Sequence, residues 1–397
     1  MQDYPQHLVQ AHMLYSHNDS GYDFSENFTF NMRGPYITFF VLTDLFSIFL
    51  PVETAGKVTL SLYILLISLL IMKISERISA VSAPWGLFFF FPFAFNQQYF
   101  LGGVNYLFSI PILIFALIDH EDLTTGSFSN AQILRHFLWQ AALFFTHPFT
   151  FLIYIALSAA GSVFSYHKGA GLKQAICPTL AALLILFAWF IAQNLQFNTG
   201  GMGEFSVQGF KWSPLRMSAI YYGLMFTGMR WFDGADKPAV VIWISLLIIL
   251  IISFFSGAEE KQGRISNEID EVLPVIEKIP SNSKILPLIF DNDSPEVDSY
   301  FFDIHLHDYF YYHLLIGGGF TPYFLTARIH PVHYRRGAER PAPGVYEPWL
   351  FRWETHASDY QYFLVRGGPR SEFISYMAGK AYVITGTKNW LLLKRTD

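Results

Sequence analysis

The sequence predicts a polytopic α-helical membrane bundle of about six to eight spans followed by a small soluble α/β domain. Hydrophobic residues make up 52% of the 397 residues and charged residues only 14%, whereas soluble domains carry about a quarter charged residues. The charges are also unevenly placed, because they are sparse between residues 36 and 256 and frequent after Gly257. A membrane part therefore precedes a water-soluble part.

Long apolar runs mark the membrane part, since a spanning helix needs roughly 20 apolar residues. The candidate spans are 58–72, 85–95, 104–118, 133–164, 178–192 and 239–255. The run 36–50 is shorter and contains Asp44, so we interpret it as a re-entrant or juxtamembrane helix. Core helices of a large soluble protein are the alternative, and the scarcity of charges disfavours it.

Basic residues orient the bundle, because cytoplasmic loops are enriched in Lys and Arg. Lys73 and Arg77 place one loop inside, and Lys168 and Lys173 place another. The N-terminal segment, the 97–103 loop and the 194–237 loop then lie outside. If the run 133–164 is a hairpin turning at His147, counting spans puts the C-terminus inside; one long kinked helix reverses this. The segment 214–228 could also enter the membrane.

Three domains follow from this pattern: an external acidic loop segment over 1–34, a transmembrane domain over 35–256, and a soluble α/β domain over 257–397. In the soluble domain, apolar runs bounded by turn residues predict strands and amphipathic spacing predicts helices. The predicted strands are 284–290, 360–365, 381–385 and 390–393, and the predicted helices are 265–277 and 370–377.

Net charge argues against a nucleic-acid partner, and cysteine content excludes an internal disulfide bond. The net charge is −5 and no long basic run occurs, so nucleic acid is not expected as a partner, because phosphate binding needs a concentrated cationic surface. The chain has one cysteine, Cys177, which excludes an internal disulfide bond.

The N-terminal segment holds the first candidate site. Asp3 and His7 place a carboxylate and an imidazole four residues apart, which suits a general base with a partner, or two ligands of a divalent cation such as Mg²⁺ or Mn²⁺. In the structural alternative, Asp3 caps a helix, Pro5 lies in its first turn and His7 is exposed.

Three short motifs resemble the GT-C-fold membrane glycosyltransferases: Asp3-Tyr4-Pro5-Gln6-His7, Gly102-Gly103-Val104-Asn105-Tyr106-Leu107 and His147-Pro148. The resemblance implies that Asp3 is the catalytic base, with His7 as its neighbour. It also implies a polyprenyl-phosphate-linked sugar donor, an extracytoplasmic acceptor and an external C-terminal α/β domain. A membrane helix precedes the acidic loop in that family, so we expect this chain to lack the first helix.

Other polar groups at membrane depth are candidate substrate-binding residues, because burying them in lipid is costly. Gln97, Asn105 and His147 are candidates within or between the apolar runs. Lys211, Arg216 and Arg230 are cations in the long external loop that could hold a lipid diphosphate. For His147 the alternative is a structural kink with a satisfied histidine, and for Gln97 and Asn105 it is solvation at the membrane interface. For the external loop the alternative is an interfacial aromatic belt.

His305 and His307 alternate, with His313 nearby, which predicts two zinc ligands on one strand face but offers no evident third.

The sequence thus predicts an integral protein of the bacterial inner membrane, in contact with membrane lipids. Its leading function is glycosyl transfer. A non-catalytic transporter or cell-envelope assembly subunit is the alternative, although no internal repeat typical of transporters is evident.

Overall fold

The computed structural model describes residues 3–32, 34–78, 102–125, 129–169, 171–196, 264, 266–294, 305–324, 330–335, 337–368 and 370–396. They form a helical bundle and a domain built around a four-stranded sheet, with the N-terminal residues packed between the two. The predicted spans 85–95 and 239–255 and the segment 214–228 lie outside the described residues.

Six helices build the described part of the bundle. They are α3 (Thr38–Ser47), α4 (Val52–Ile78), α5 (Val104–Thr125), α6 (Asn130–Thr146), α7 (Pro148–His167) and α8 (Leu172–Gln196); α1 and α2 precede them and are given below. Two stretches are long and apolar enough to cross a membrane, Val52–Ile74 and Pro148–His167. Thr38–Ser47 and Ile176–Trp189 are apolar but shorter. A membrane-capable helical part is therefore present, and the count of six to eight spans remains a prediction.

The run 133–164 is a hairpin. Helix α6 ends at Thr146, His147 has an extended backbone, and Pro148 opens α7. Gln140 Nε2 donates to the Tyr154 hydroxyl at 3.0 Å, although a continuous helix would separate these residues by about 21 Å along its axis. The chain therefore reverses at His147, as a proline at the first helical position favours.

The bundle has two distinct ends. At the first, Gly102 at the start of α5 approaches Asp3 and Tyr4, and His147 lies near Tyr36; we call this the Asp3 end. At the other, Arg77 pairs with Glu121 at 3.0 Å and with Asp122 at 2.5 Å; we call this the Arg77 end.

Helix α7 buries four polar side chains together with Phe151 and exposes several large apolar side chains. The buried polar residues are Thr150, Tyr154, Ser158 and Ser162. The exposed apolar residues include Leu152, Leu157, Val163 and Phe164. Soluble proteins place these classes the other way round, so the outer surface of α7 suits hydrocarbon better than water.

The C-terminal domain holds a mixed sheet in the order β2-β4-β6-β5. Its strands are β2 (Ile285–Ile289), β4 (Tyr362–Arg366), β5 (Ala381–Gly386) and β6 (Trp390–Arg395). Strands β2 and β4 are parallel and the other pairs antiparallel. Pro287 lies in β2, which is an edge strand, where a missing N–H is tolerated. The four predicted strands are confirmed.

Short helices surround this sheet. They are α9 (Leu273–Ile276), α10 (Tyr311–Leu315), α11 (Trp353–His356) and α12 (Arg370–Met377). The predicted helix 370–377 is confirmed. The predicted helix 265–277 is interrupted, since residues 266–270 are helical, a turn follows, and α9 begins at Leu273.

The predicted external loop segment 1–34 is not irregular over its described residues, and its place outside the membrane stays a prediction. The segment forms α1 (Tyr4–Tyr15), α2 (Phe24–Asn27) and β1 (Phe28–Phe30). Strand β1 pairs antiparallel with β3 (Val332–Tyr334) of the C-terminal domain. Val9 and Met13 enter the core of that domain, while Ala11 packs against the bundle. Apolar residues of α1 thus pack into two different cores. This packing explains why a segment with a polar start is ordered.

Candidate functional site

Asp3 meets His307 between the bundle and the C-terminal domain. Asp3 lies at the N-cap position of α1, and its side chain makes no capping hydrogen bond. Its Oδ1 is instead 3.3 Å from His307 Nε2. The Asp3 side chain is 32% exposed, whereas that of His307 is 9% exposed. The carboxylate can thus reach both an imidazole and an incoming ligand.

Gly102 allows Asp3 to lie against the bundle. Its φ is +85°, and a Cβ at this position would come within 2.7 Å of the Tyr4 backbone nitrogen and 2.9 Å of that of Asp3. Glycine has no Cβ and adopts positive φ readily. Gly102 is therefore needed for the close approach of the two backbones.

His7 is buried beside this pair, and the alternative of an exposed His7 is wrong. Its ring is stacked on that of His330, with centroids 6.2 Å apart and planes 5° from parallel. Burial lowers the pKa of His7 to about 4, although the charge of Asp3 acts in the opposite direction. His7 is therefore neutral near pH 7 and can donate or accept a hydrogen bond.

His330 completes the imidazole group. Burial lowers its pKa to about 3, and His7 lowers it further by charge repulsion. The Tyr36 ring lies 4.7 Å from it. Two neutral imidazoles and a phenol ring therefore lie next to the Asp3–His307 pair.

Tyr36 has a strained backbone, with φ at +78°. Asn105 holds it, because Asn105 Nδ2 donates to the Tyr36 carbonyl at 3.1 Å and Asn105 Oδ1 accepts from Phe39 N–H at 2.8 Å. Asn105 thus fixes the start of α3 and the position of the Tyr36 ring.

A second strained tyrosine lies at the same junction. Tyr323 has φ at +76°, and its carbonyl accepts a hydrogen bond from Gln6 Nε2 at 3.3 Å. A non-glycine residue in this region costs about 1–3 kcal/mol, and such strain is concentrated at functional sites. Among the described residues only Tyr36, Asn282 and Tyr323 share this conformation without being glycine.

His147 lies at the same end of the bundle. Its ring is 5.4 Å from that of Tyr36 and 5.3 Å from that of Tyr106. Its Nδ1 accepts from Thr150 N–H at 3.4 Å, which leaves the proton on Nε2. His147 therefore caps α7 and lines the tyrosine side of the site.

Within the described part of the chain, several buried polar atoms at the junction have no hydrogen-bond partner. They are Gln6 Oε1, His7 Nδ1, His307 Nδ1, Tyr309 Oη and His330 Nδ1. A buried polar atom left unpaired costs about 1–3 kcal/mol, so these five atoms offer hydrogen-bonding capacity to water or to a polar ligand.

The structure joins some predicted site residues and leaves others untested. Asp3, His7, Asn105 and His147 lie at the Asp3 end. Gln97, Lys211, Arg216 and Arg230 lie outside the described residues.

Sequence reasoning missed His307 as a partner of Asp3 and missed His330, Tyr36 and Tyr323 altogether. The His330-Pro331-Val332-His333 stretch was an available signal of a histidine cluster. Nothing local could have paired residues 3 and 307, because that contact depends on how the C-terminal domain docks.

The predicted zinc ligands do not converge. His305 and His307 lie in a turn rather than on a strand. His305 contacts Asp308 and Glu268 at 2.7 and 2.9 Å, while His313 contacts Gly318 and Thr321. Within the described ranges, no group of three or more histidine, cysteine, aspartate or glutamate residues could hold a metal ion.

A second polar network lies nearer the Arg77 end. Asp119 pairs with Arg135 and, at 3.1 Å, with His136 Nδ1. His136 Nε2 is 2.8 Å from the Tyr154 hydroxyl. Neither ring nitrogen of the neighbouring His120 has a hydrogen-bond partner among the residues that the structure describes. This network joins α5, α6 and α7 away from the Asp3 site.

Comparison with known proteins adds no relative: no family model, curated protein or solved structure matches the chain.

Proposed function

We propose that the chain is an integral membrane glycosyltransferase of the bacterial inner membrane, with Asp3 as its base. The contact between Asp3 and His307, where the C-terminal domain closes over the Asp3 end of the bundle, carries the proposal. The strained tyrosines and the unpaired polar atoms around it support a ligand site. The short motifs that resemble the GT-C family supply the reaction class.

The proposed placement puts the Arg77 end in the cytoplasm. Lys73, Arg77, Arg135 and Lys168 all lie toward that end of their helices, as the positive-inside rule requires. Asp3 and the C-terminal domain then lie outside. The apolar outer surface of α7 supports contact with lipid.

Span parity fits this placement. The chain is at the Arg77 end at Ile78 and at the Asp3 end at Gly102, so the placement needs an odd number of crossings between them, and the predicted span 85–95 would provide one. Because Gln196 and the C-terminal domain are both at the Asp3 end, an even number of crossings lies between them, and 214–228 with 239–255 would provide two. The total would be eight. With 239–255 as the sole crossing after Gln196, a hairpin would instead put the C-terminus inside.

In the proposed reaction, the Asp3 carboxylate takes the proton from an acceptor hydroxyl as its oxygen attacks the anomeric carbon of the donor. The bond from that carbon to the phosphate oxygen breaks, and polyprenyl phosphate leaves with the electron pair. His307, through Nε2–H, orients the carboxylate. Neutral His7 and His330 offer hydrogen bonds to hydroxyl groups without attracting the anionic donor.

A divalent cation is not assigned a step. Asp3 and His307 offer two ligands, and the described residues add no third. In this proposal the positive charge that faces the donor phosphate comes from the side chains of Lys211, Arg216 and Arg230.

The non-catalytic alternative is favoured by one observation: α1 belongs to the cores of both the bundle and the domain. Residues 3–15 would then only join the two parts, and Asp3 would need no chemistry.

Replacing Asp3 by Asn tests the choice. The variant keeps the size of the side chain and its contact with His307 but removes the base, so transfer from a polyprenyl-phosphate-linked hexose or pentose should fall by about 100-fold or more. Incorporation of radiolabelled sugar in membranes containing the full chain measures this.

Asp19→Asn is the matched control, since Asp19 is an exposed carboxylate of the same segment that accepts from Gly21 N–H. It should retain full transfer. Equal activity of the two variants would refute the role of Asp3 and favour the non-catalytic alternative.

A further inference from the structure

A cavity of about 340 Å³ lies near the Arg77 end of the bundle, remote from Asp3. Helices α5, α6 and α8 form its walls. Its lining residues are Leu123, Asn130, Ile133, Leu134, His136, Phe137, Cys177, Pro178 and Ala181. Its volume falls in the range of about 300–1,000 Å³ that is typical of small-molecule sites.

The side chains that line the cavity are mostly apolar, so an occupant would contact mainly carbon atoms. His136 is its one titratable ring, and both of its nitrogens are already engaged, by Asp119 and by Tyr154. Asn130 is exposed at the start of α6 and therefore lies at the rim. An occupant of the interior gains by burying apolar surface and not by forming hydrogen bonds.

The cavity is continuous with the apolar outer surface. Leu134 and Phe137 line it and are 59% and 44% exposed. Leu180 and Leu184 continue the exposed apolar surface along α8. The opening therefore faces the side of the bundle that suits hydrocarbon.

A cation lies next to the lining. Arg135 follows Leu134 and precedes His136, and its side chain is 52% exposed. Its guanidinium contacts Asp119, yet half of its surface remains accessible to a phosphate group. A molecule with a hydrocarbon chain and an anionic head would match both features.

We propose that this cavity holds one acyl chain of a bilayer phospholipid from the leaflet at the Arg77 end, with the phosphate near Arg135. This inference rests on the membrane placement proposed above and not on the chemistry at Asp3. The bound chain would fill the gap between α6 and α8.

Photocrosslinking in nanodiscs tests the proposal. The full chain is reconstituted with a phosphatidylglycerol that carries a diazirine on one acyl chain, and crosslinked peptides are mapped. We expect adducts on the peptides that hold Phe137 and Cys177 to exceed severalfold those on the outer face of α7, at Leu157, Val163 and Phe164.

Ala181→Phe should reduce the cavity adducts severalfold, because the phenyl ring occupies the space. Ala160→Phe, which adds the same ring on the exposed surface of α7, should leave them unchanged. An even distribution of adducts over both surfaces, or no effect of Ala181→Phe, would overturn the proposal.

A second measurement on the unaltered chain covers the case in which Ala181→Phe fails to fold. Cys177 is the sole cysteine and lines the cavity, so its alkylation by a maleimide in detergent should slow when phosphatidylglycerol is added. An unchanged rate overturns the proposal. Activity of the Asp3→Asn variant has no bearing on either result, so this inference and the catalytic assignment fail separately.

Discussion

At the residue scale, histidines are set to different charge states by their neighbours. His7, His313 and His330 are buried with no described carboxylate in contact, and burial lowers the pKa of each. His305 is equally buried, but Asp308 and Glu268 contact its two ring nitrogens. Burial acts to lower the pKa of His305, and these carboxylates reverse the outcome so that it is raised. His305 therefore holds its proton more tightly than a free imidazole does, and His7 holds it less tightly.

His305 predicts a pH-dependent stability of the C-terminal domain. Its pKa in the folded chain exceeds the unfolded value of 6.5, so its stabilisation is complete below pH 6.5 and is lost as the pH rises through the folded pKa. Thermal unfolding of the full chain in detergent should show that His305→Gln lowers Tm more at about pH 5.5 than at about pH 8.5.

His167→Gln is the control, since His167 is an exposed histidine at the end of α7. It should shift Tm little at either pH. A loss of stability in His305→Gln that is equal at both pH values would show that the imidazole acts by packing and not by charge. The contribution of His7 to stability has the opposite pH dependence, because the unfolded chain binds the His7 proton first as the pH falls below 6.5, and this weakens the fold. The comparison of each variant with the unaltered chain at the same pH separates the effect of His305 from that of His7.

At the scale of elements, the α6–α7 hairpin is held by polar contacts inside an apolar surface. Tyr154 links His136 and Gln140 of α6, and Ser158 and Ser162 contact Thr179 of α8. Under the proposed membrane placement, lipid would not drive apolar helices together, so interhelical hydrogen bonds and close packing would supply the association. The polar positions of α7 recur every four residues and therefore form one stripe along the helix.

Tyr154→Phe tests this account. The change keeps the ring and removes the hydroxyl that contacts His136 and Gln140, so unfolding in mild detergent should become easier by about 0.6–1.7 kcal/mol. Tyr166→Phe removes an exposed hydroxyl of the same helix and should have no measurable effect. Equal stabilities of the two variants would show that packing alone holds the hairpin.

At the scale of the whole molecule, the N-terminal segment joins the bundle to the C-terminal domain. Helix α1 contributes to both cores, and β1 pairs with β3 across more than 300 residues of chain. The docking brings Asp3 to His307 and His7 to His330. Any movement of the domain relative to the bundle would therefore open or close the candidate site.

The relative placement of the parts predicts a labelling pattern. In a Cys177→Ser background, cysteines introduced at Ser20 and at Lys388, both exposed, should react with a membrane-impermeant maleimide from the same side. A cysteine at Lys168, near the Arg77 end, should react from the other side, because α7 runs between the two ends. Labelling of all three from one side would contradict the membrane placement.

The local structure was largely predictable from the sequence, whereas the candidate site was predictable only in part. Strands 284–290 and 360–365 were predictable because buried runs bounded by turn residues have few other solutions. Asp3, Asn105 and His147 were found because polar residues beside apolar runs are conspicuous. The role of Asn105 in holding Tyr36, and the strain at Tyr36 itself, were not predictable, since positive φ in a tyrosine has no sequence signal.

An apolar helical part followed by a small α/β domain is predictable from the amino-acid sequence, because hydropathy and periodicity are local properties. The turn of the run 133–164 at His147, the burial of helix α1 and the contact between Asp3 and His307 are visible only in the folded chain. Each of these depends on contacts between residues far apart in the chain, whose free energy no local pattern records. The partner of a carboxylate at residue 3 is chosen by the docking of a domain some 300 residues later.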